Sequence, residues 1–121
     1  MFDMSLEGFY RIDEIRQAEC GYTIDVTLFA GHGIYEGHFP ERAVVPGVCT
    51  LTVIRAALSE ALGRRVRFSF IKECKFLSAL LPEKDLYLVI EAVFKGEDQI
   101  RCNVLKDNNV VLKLNAAISD I

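Results

Sequence analysis

The chain has 121 residues and a formal net charge of -3, with 51% hydrophobic and 26% charged residues. This length predicts a single domain over residues 1–121, and the hydrophobic content excludes an intrinsically disordered chain. The nearly neutral charge excludes a nucleic-acid binder that relies on bulk positive charge. No apolar run reaches the roughly 18 residues that a membrane span needs, so no membrane span is expected.

The cysteine pattern argues against a metal site. The four cysteines are 25 to 29 residues apart and form no Cys-x-x-Cys pair, and only His32 and His38 could add nitrogen ligands. Cysteines spaced in this way are typical of reduced core residues in cytosolic proteins. The first residues also lack the basic region of a secretion signal. We therefore predict a cytoplasmic protein with reduced thiols and no metal.

Apolar and polar residues alternate along most of the chain, which is the pattern of half-buried β-strands. In one such run Val66, Phe68 and Phe70 fall on the same face and alternate with polar residues. Turn-forming stretches such as Asp107-Asn108-Asn109 separate the later strands by short distances, which favours antiparallel pairing. The six strands that the alternation predicts are 8–18, 22–30, 65–76, 85–95, 98–106 and 110–119.

The segment from Val48 to Leu62 breaks this alternation and favours a helix that ends before Gly63. Apolar residues cover most of its circumference, and the polar line consists of Thr52, Arg55 and Ser59. A helix of this kind is buried on most sides. The sequence therefore predicts an α+β fold in which one curved antiparallel sheet of about six strands wraps around a central helix. Such a sheet leaves edge strands, which are usually paired or covered, so a homodimer is expected.

The stretch 31–48, between the second strand and the helix, contains both histidines and four of the eight glycines. A long apolar loop inside a compact domain is usually functional, although a rigid connector has the same composition. At its end Pro46-Gly47-Val48 opens the helix, where the first N–H groups have no intrahelical partner and favour negative charge. Because Gly47 has no side chain, a substrate carbonyl can approach its N–H closely. The alternative is that water or the preceding loop satisfies these groups.

Two motifs in this region point to a known family. Gly37-His38-Phe39-Pro40, followed by Val44-Val45-Pro46-Gly47-Val48, closely resembles the motif of the hot-dog-fold beta-hydroxyacyl-[acyl-carrier-protein] dehydratases of fatty-acid synthesis. Further similar stretches are Val66-Arg67-Phe68, Cys74-Lys75-Phe76 and Leu81-Pro82. The resemblance covers roughly residues 8–119. It implies a hot-dog fold and an enzyme that removes water from a 3-hydroxyacyl thioester on acyl carrier protein, with no metal or organic cofactor.

The resemblance also implies roles for individual residues. His38 would be the base that takes the C2 proton, and the N–H of Gly47, helped by Val48, would polarise the thioester carbonyl. These residue types suit the chemistry, because an imidazole with a pKa of about 6.5 is neutral near pH 7. A polarised carbonyl in turn stabilises the enolate-like charge. An acyl chain would lie in an apolar tunnel beside the helix, lined by Phe39, Leu51 and Phe68.

The sequence departs from the family where the helix carboxylate of the partner subunit is expected. That position is Thr52, fourteen residues after His38, and the family's glutamine one turn later is replaced by Ala56. A threonine donates a hydrogen bond but cannot act as an acid or base near neutral pH, so Thr52 either packs locally or contacts substrate or water. Glu36 points to the same side as His38 in an extended chain and is a candidate replacement acid, with a solvated charge as the alternative.

A basic cluster follows the helix and is a candidate docking site for acyl carrier protein. Arg64, Arg65 and Arg67 lie within four residues, and an acidic carrier needs local basic residues on its receiver; a solvated strand end is the alternative. Three functions remain open at this point: a dehydratase, a hot-dog acyl thioesterase, and a non-catalytic subunit that binds acyl carrier protein or pairs with an active homologue. The His-Phe-Pro and Pro-Gly-Val motifs make the dehydratase the leading hypothesis. The threonine at the carboxylate position argues equally against a dehydratase and a thioesterase, and it is the best support for the non-catalytic subunit.

Overall fold

The computed structural model describes residues 8–30, 45, 47–81 and 84–121. Its elements are β1 (Tyr10–Ala18), β2 (Gly21–Leu28), α1 (Gly47–Leu62), β3 (Val66–Phe76), β4 (Leu86–Lys95), β5 (Gln99–Lys106) and β6 (Asn109–Asp120). Every boundary lies within two residues of the one that the sequence pattern predicts. Within these described ranges, the six strands and the helix expected from the sequence pattern are therefore confirmed.

The strands form one six-stranded sheet with the order β1-β2-β4-β5-β6-β3, and every neighbouring pair is antiparallel. A two-residue turn joins β5 to β6, where Asp107 and Asn108 both have positive φ angles, of 52° and 65°. Such a turn matches the twist of the strands it joins, and Asp and Asn tolerate its geometry. The antiparallel sheet of about six strands is confirmed.

The helix packs its apolar side on the inner face of the sheet. Its buried residues are Cys49, Thr50, Val53, Ile54, Ala57 and Leu58. They form two adjacent rows at i, i+4 spacing, which is the spacing of one helix face. Leu51, which belongs to the apolar stripe expected from the sequence, is only half-buried and packs at the margin of the core. The helix therefore lies on the concave side of the sheet, as predicted.

A bulge in β3 reverses one expectation about its side chains. The sequence places Val66, Phe68 and Phe70 on one face, but the register with β6 shifts between Phe68 and Phe70, at Ser69. One extra residue moves the following side chains to the opposite face. Phe70 therefore lies opposite Ala117 with its side chain 65% exposed, whereas Val66 is fully buried. The predicted inward position of Phe70 is wrong for this reason.

The two edge strands of the sheet differ in chemistry. The β1 edge carries ion pairs of Arg11 with Asp13 and of Arg16 with Glu14. Charged residues on an edge oppose pairing with another chain. The β3 edge also carries an ion pair, of Lys75 with Glu73, but unlike β1 it adds large exposed apolar side chains, among them Phe70, Ile71 and Phe76. An edge of this kind favours association, so β3 is the edge that is suited to pairing with another strand.

The cysteines are all free thiols, and two of them fit the sequence prediction. Cys49 and Cys102 are buried in the core, and burial raises the pKa of both thiols, that of Cys102 to about 12. Cys20 is different, because it is exposed in the β1–β2 turn with a φ of 60°. The prediction that every cysteine is a core residue is therefore wrong for Cys20. In the ranges that the structure covers, no helix is long and apolar enough to cross a membrane.

Candidate functional site

The site begins at the N-terminus of the helix. The helix starts at Gly47, and just before it the N–H of Val45 donates to the carbonyl oxygen of Leu80 at 2.8 Å. A Cβ atom on Gly47 would lie 3.0 Å from Cζ of Phe76. The absence of a side chain therefore lets the Phe76 ring rest against the start of the helix. The helix thus begins at the glycine that the sequence predicts for a carbonyl-binding position, where N–H groups have no partner within the helix ladder.

A groove with a volume of about 370 Å³ opens beside this terminus. Its lining residues are Val45, Gly47, Thr50, Phe76, Leu77, Ser78, Ala79 and Leu80. Most of these side chains are apolar, so the groove can accommodate an aliphatic ligand next to a helix terminus that favours partial negative charge. Such a surface suits a molecule with a polarised carbonyl on an apolar chain.

Of the site residues predicted in the first helical turns, Gly47 lines the groove, whereas Val48, Leu51 and Thr52 do not. Val48 is 58% exposed, and Leu51 and Thr52 are half-buried. The hydroxyl of Thr52 donates a hydrogen bond to the carbonyl oxygen of Val48 at 2.8 Å. This bond within the helix occupies the hydroxyl proton. The oxygen of Thr52 keeps its capacity to accept a hydrogen bond.

Phe68 lies toward the other end of the helix. The neighbouring Val66 donates its N–H to Oγ of Ser59 at 3.1 Å. Ser59 is twelve residues beyond Gly47, which is about 18 Å along a helix axis. Phe68 therefore lies where a ligand bound at Gly47 would reach only with the far end of a long chain. The aromatic residue next to Gly47 is Phe76. The predicted site residues Glu36, His38 and Phe39 lie outside the described residues.

The predicted docking arginines meet at one corner of the sheet, where β3 begins and β6 ends. Arg64 forms an ion pair with Asp120, and Nε of Arg67 donates to Oγ of Ser119 at 3.1 Å. Arg65 is exposed, and its carbonyl oxygen accepts the N–H of Ile121 at 3.2 Å. The structure brings the three residues together, and Asp120 neutralises part of their charge.

Comparison with known proteins identifies the chain's family. Residues 14–113 match the family described as ApeI-like, ApeI dehydratase. The chain belongs to the ApeI-like dehydratase family. It is 29% identical over 113 residues to the 3-hydroxyacyl-[acyl-carrier-protein] dehydratase FabZ of Clostridium tetani (strain Massachusetts / E88), which covers 84% of this chain and 78% of the relative. It is 33% identical over 92 residues to the FabZ of Macrococcus caseolyticus (strain JCSC5402), which covers 69% of this chain and 63% of that protein.

Solved structures agree on the fold. The dehydratase heterocomplex ApeI:P from Xenorhabdus doucetiae superimposes with a TM-score of 0.71 at 21% identity, covering 89% of this chain and 96% of that one. A hypothetical thioesterase protein with coenzyme A from Streptococcus pneumoniae TIGR4 superimposes with a TM-score of 0.60 at 15% identity, covering 92% and 89%. At identities this low, the superpositions bear on the fold alone. They confirm that this ApeI-like chain has the hot-dog fold that the sequence predicts.

The sequence reasoning missed two features of this ApeI-like chain. The first is the groove wall from Phe76 to Leu80, for which the apolar run Leu77-Ser78-Ala79-Leu80-Leu81 was an available signal. The second is a polar cluster on β1 and β2. Thr27, only 1% exposed, donates to Oδ2 of Asp13 at 2.5 Å. This bond, and then a second one from Arg11, hold the pKa of Asp13 below its usual value.

Another groove, of about 480 Å³, lies on the outer face of the sheet around Phe70 and Arg101. It includes none of the site residues that were predicted from the sequence. Among the residues that the structure describes, no group of three or more His, Cys, Asp or Glu side chains is arranged to hold a metal ion. The helix N-terminus therefore remains the candidate active site.

Proposed function

We propose that this chain is a 3-hydroxyacyl-[acyl-carrier-protein] dehydratase-like hydro-lyase that acts in fatty-acid or related lipid or polyene synthesis. The observation that carries the proposal is the side-chain-free helix start at Gly47, which opens on a largely apolar groove. Membership of the ApeI-like dehydratase family supports the reaction class. The two FabZ relatives support the 3-hydroxyacyl substrate and its acyl carrier protein.

The proposed reaction removes water across C2 and C3 of the acyl chain. His38 takes the C2 proton, and the electron pair of that bond forms the C2–C3 double bond. The N–H groups of Gly47 and Val48 stabilise the charge that develops on the thioester oxygen during this step. The C3–O bond breaks, and its electron pair leaves with the hydroxyl oxygen. That oxygen receives a proton and departs as water.

The proton for the leaving hydroxyl has to come from a group other than Thr52. The hydroxyl proton of Thr52 is engaged with the carbonyl oxygen of Val48, and its pKa is far too high for proton donation near neutral pH. We propose Glu36 as the acid, and the oxygen of Thr52 of the partner subunit, the position that the resemblance implies, as the acceptor of a hydrogen bond from the leaving water. Afterwards His38 returns its proton to solvent and Glu36 regains one.

The reaction can be tested by incubating the purified protein with 3-hydroxyacyl and trans-2-enoyl thioesters on acyl carrier protein. Mass spectrometry then measures the masses of the products. Loss or gain of one water supports the proposed dehydratase. Release of a free acid would replace it with a thioesterase. Binding of the acyl carrier protein with no conversion would replace it with a non-catalytic subunit, the alternative that the missing carboxylate at Thr52 favours.

We further propose that two copies of the chain pair through their β3 edges. The apolar side chains of Phe70, Ile71 and Phe76 on this edge would leave water on pairing, which drives association. Light scattering should therefore give about twice the monomer mass of 13.6 kDa. Replacing Ile71 with Asp should shift the protein toward the monomer, whereas Gln17→Asp, at an exposed position of the β1 edge, should leave the assembly intact. A concentration-independent monomer mass for the natural protein would contradict the homodimer.

Docking of acyl carrier protein is proposed at the arginine corner. Because Arg64 already pairs with Asp120, the test uses the double variant Arg65→Glu/Arg67→Glu. Loss of steering charge should slow association with acyl carrier protein by on the order of tenfold at low salt and flatten its salt dependence. The double variant Lys95→Glu/Lys113→Glu makes the same charge change at exposed positions away from both the arginine corner and the β3 edge, and is the control. If both double variants associated with acyl carrier protein at the same rate, the arginines would be solvated surface residues with no docking role.

A further inference from the structure

The groove of about 480 Å³ on the outer face of the sheet, called the outer groove below, has a floor and two walls. Its floor is Ala117 on β6, which pairs with Gln99 of β5 on one side and with Phe70 of β3 on the other. Alanine has a short side chain, so the longer side chains of its two neighbours stand above it as walls. The backbones of the two walls are two strand spacings apart, about 10 Å, which leaves room for a small molecule.

Two bulges build the β3 wall of the outer groove. The register of β3 with β6 shifts at Ser69 and again at Lys72. The first bulge turns the ring of Phe70 outward, and the extra residue of the second, Lys72, is exposed and lines the groove. Bulges are common next to functional sites because they re-aim a side chain. The strand therefore presents an aromatic ring and a cation to the same groove.

The outer groove is locally positive, although the chain has a net charge of -3. Its charged lining residues are Lys72, Glu73, Lys95 and Arg101. The carboxylate of Glu73 is partly neutralised by Lys75, whose Nζ lies 3.6 Å from Oε2. The cations of the lining are thus in excess, and an anion in the groove would be attracted to them.

Arg101 is oriented by a polar ladder that crosses three strands. Its Nε donates to Oδ1 of Asn115 at 3.3 Å, and Nδ2 of Asn115 donates to Oε1 of Glu73 at 3.5 Å. In the described part of the chain, the two terminal nitrogens of Arg101 take part in no hydrogen bond or ion pair. A guanidinium held through Nε in this way can direct its terminal N–H groups at a phosphate.

We propose that the outer groove binds a nucleoside phosphate. A phosphate monoester carries nearly two negative charges near pH 7, which suits Arg101 with Lys72 and Lys95 around it. The exposed ring of Phe70 offers a face on which a nucleobase can stack. On the opposite wall, the amide of Gln99 can both donate and accept a hydrogen bond at the edge of the base. This site lies on the opposite face of the sheet from the helix and does not depend on the proposed dehydratase function.

The proposed pairing of β3 edges is compatible with this site. Pairing uses the hydrogen-bonding edge of β3, whereas the floor at Ala117 and the wall at Arg101 lie one and two strands inward. A homodimer would therefore carry two outer grooves, one on each side of the seam. The expected stoichiometry is one ligand per chain in either assembly.

Isothermal titration calorimetry of the purified protein at low salt tests the proposal, with adenosine 5′-monophosphate as the probe. We expect one binding site per chain, weakened by added salt. Adenosine supplies the base alone and inorganic phosphate supplies the charge alone, so each should bind roughly tenfold or more weakly. The proposal would be wrong if the nucleotide did not bind, or if inorganic phosphate bound as tightly as the nucleotide.

Three variants assign the binding to the outer groove. Phe70→Leu removes the stacking face and should lower the affinity about 5- to 100-fold, and Arg101→Gln should lower it about tenfold or more. Ala117→Met fills the floor without changing any charge and should abolish binding. Tyr87→Leu and Lys113→Gln change exposed residues outside the groove and are the matched controls for the ring and the charge. Equal affinities in the groove variants and the controls would overturn the assignment.

Amide NMR signals locate the nucleotide in the natural protein, without any variant. Adenosine 5′-monophosphate should shift the amides of Arg101, Asn115 and Ala117 and leave those of Gly47 and Thr50 unmoved. Shifts centred on Gly47 would place the phosphate at the helix N-terminus and overturn the proposal. Neither measurement uses turnover, so both results are independent of the dehydratase reaction.

Discussion

Replacing His38 with alanine should lower kcat for water elimination by about 10²- to 10⁴-fold and leave the binding of an acyl thioester nearly unchanged. The rate falls because the imidazole acts in the proton-transfer step. Binding survives because the helix N–H groups and the apolar groove around Phe76 supply it. Single-turnover kinetics would measure the chemical step, and a non-hydrolysable thioester analogue would measure binding.

The matched control for His38→Ala is His32→Ala, since both histidines belong to the same glycine-rich stretch. His32→Ala should retain kcat, because the sequence motif assigns the base to His38 alone. Full activity in His38→Ala would falsify the mechanism as drawn. Equal losses in both variants would indicate disruption of the stretch rather than removal of a base.

Two companion variants locate the acid. Glu36→Gln keeps the size of the side chain and removes its proton, so it should lower kcat by a similar factor if Glu36 protonates the leaving hydroxyl. Thr52→Glu removes the hydrogen bond to Val48 and restores a carboxylate at the family position, and it should raise kcat. An unchanged rate in Glu36→Gln would remove Glu36 from the mechanism. Gain of activity by Thr52→Glu in an otherwise inactive protein would identify the natural chain as a non-catalytic subunit.

The largest loss of stability is expected from Gly21→Ala. A Cβ atom at Gly21 would lie 1.8 Å from the carbonyl oxygen of Ala92, a backbone atom of the neighbouring strand. Because no side-chain rotation relieves a clash with backbone, β2 and β4 would have to separate locally and lose ladder hydrogen bonds. We expect the free energy of unfolding to fall by about 3 kcal/mol or more, measured by urea denaturation at one fixed protein concentration.

Gly63→Ala is the control for this substitution. Gly63 has a φ of 70°, and a Cβ atom there would meet nothing within 4 Å. Alanine at that position suffers only the strain of a left-handed backbone, about 1 to 2 kcal/mol. The two variants therefore separate collision between strands from local strain. If Gly21→Ala cost no more than Gly63→Ala, the close approach of β2 and β4 at Ala92 would be wrong.

The period of the side-chain pattern was sufficient to predict the elements of the fold. Alternation located every strand, and the loss of alternation located the helix, because each period reflects which side chains meet the core. The pattern did not predict that Phe70 points outward, since the bulge at Ser69 adds one residue without changing composition. Thr27, which follows the polar positions Thr23 and Asp25 in the alternation, is nevertheless buried, and its hydroxyl donates a hydrogen bond to Asp13, fourteen positions earlier.

The candidate site was predictable only in part. Gly47 could be identified because an N-terminal helix glycine has a local signature in the sequence. The apolar run after β3 was a signal for the groove wall, but the position of that wall against Gly47 was not predictable, because Phe76 reaches Gly47 only through the path of β3 along the helix. The docking arginines were recognisable as a cluster of like charge. Their neutralisation by Asp120 depends on the pairing of β3 with β6, which joins residues more than fifty positions apart.

The strand order also sets a sequence of events during folding. β3 has β6 as its only neighbour in the described sheet, although β4 and β5 lie between them in the chain. Contacts between distant segments form slowly, because the intervening chain must be ordered first. During synthesis, the apolar edge at Ile71 and Phe76 therefore has no strand to pair with until β6 has left the ribosome. The β3 strand is consequently the segment of the nascent chain most open to wrong pairings, and its protection depends on how quickly the last hairpin closes.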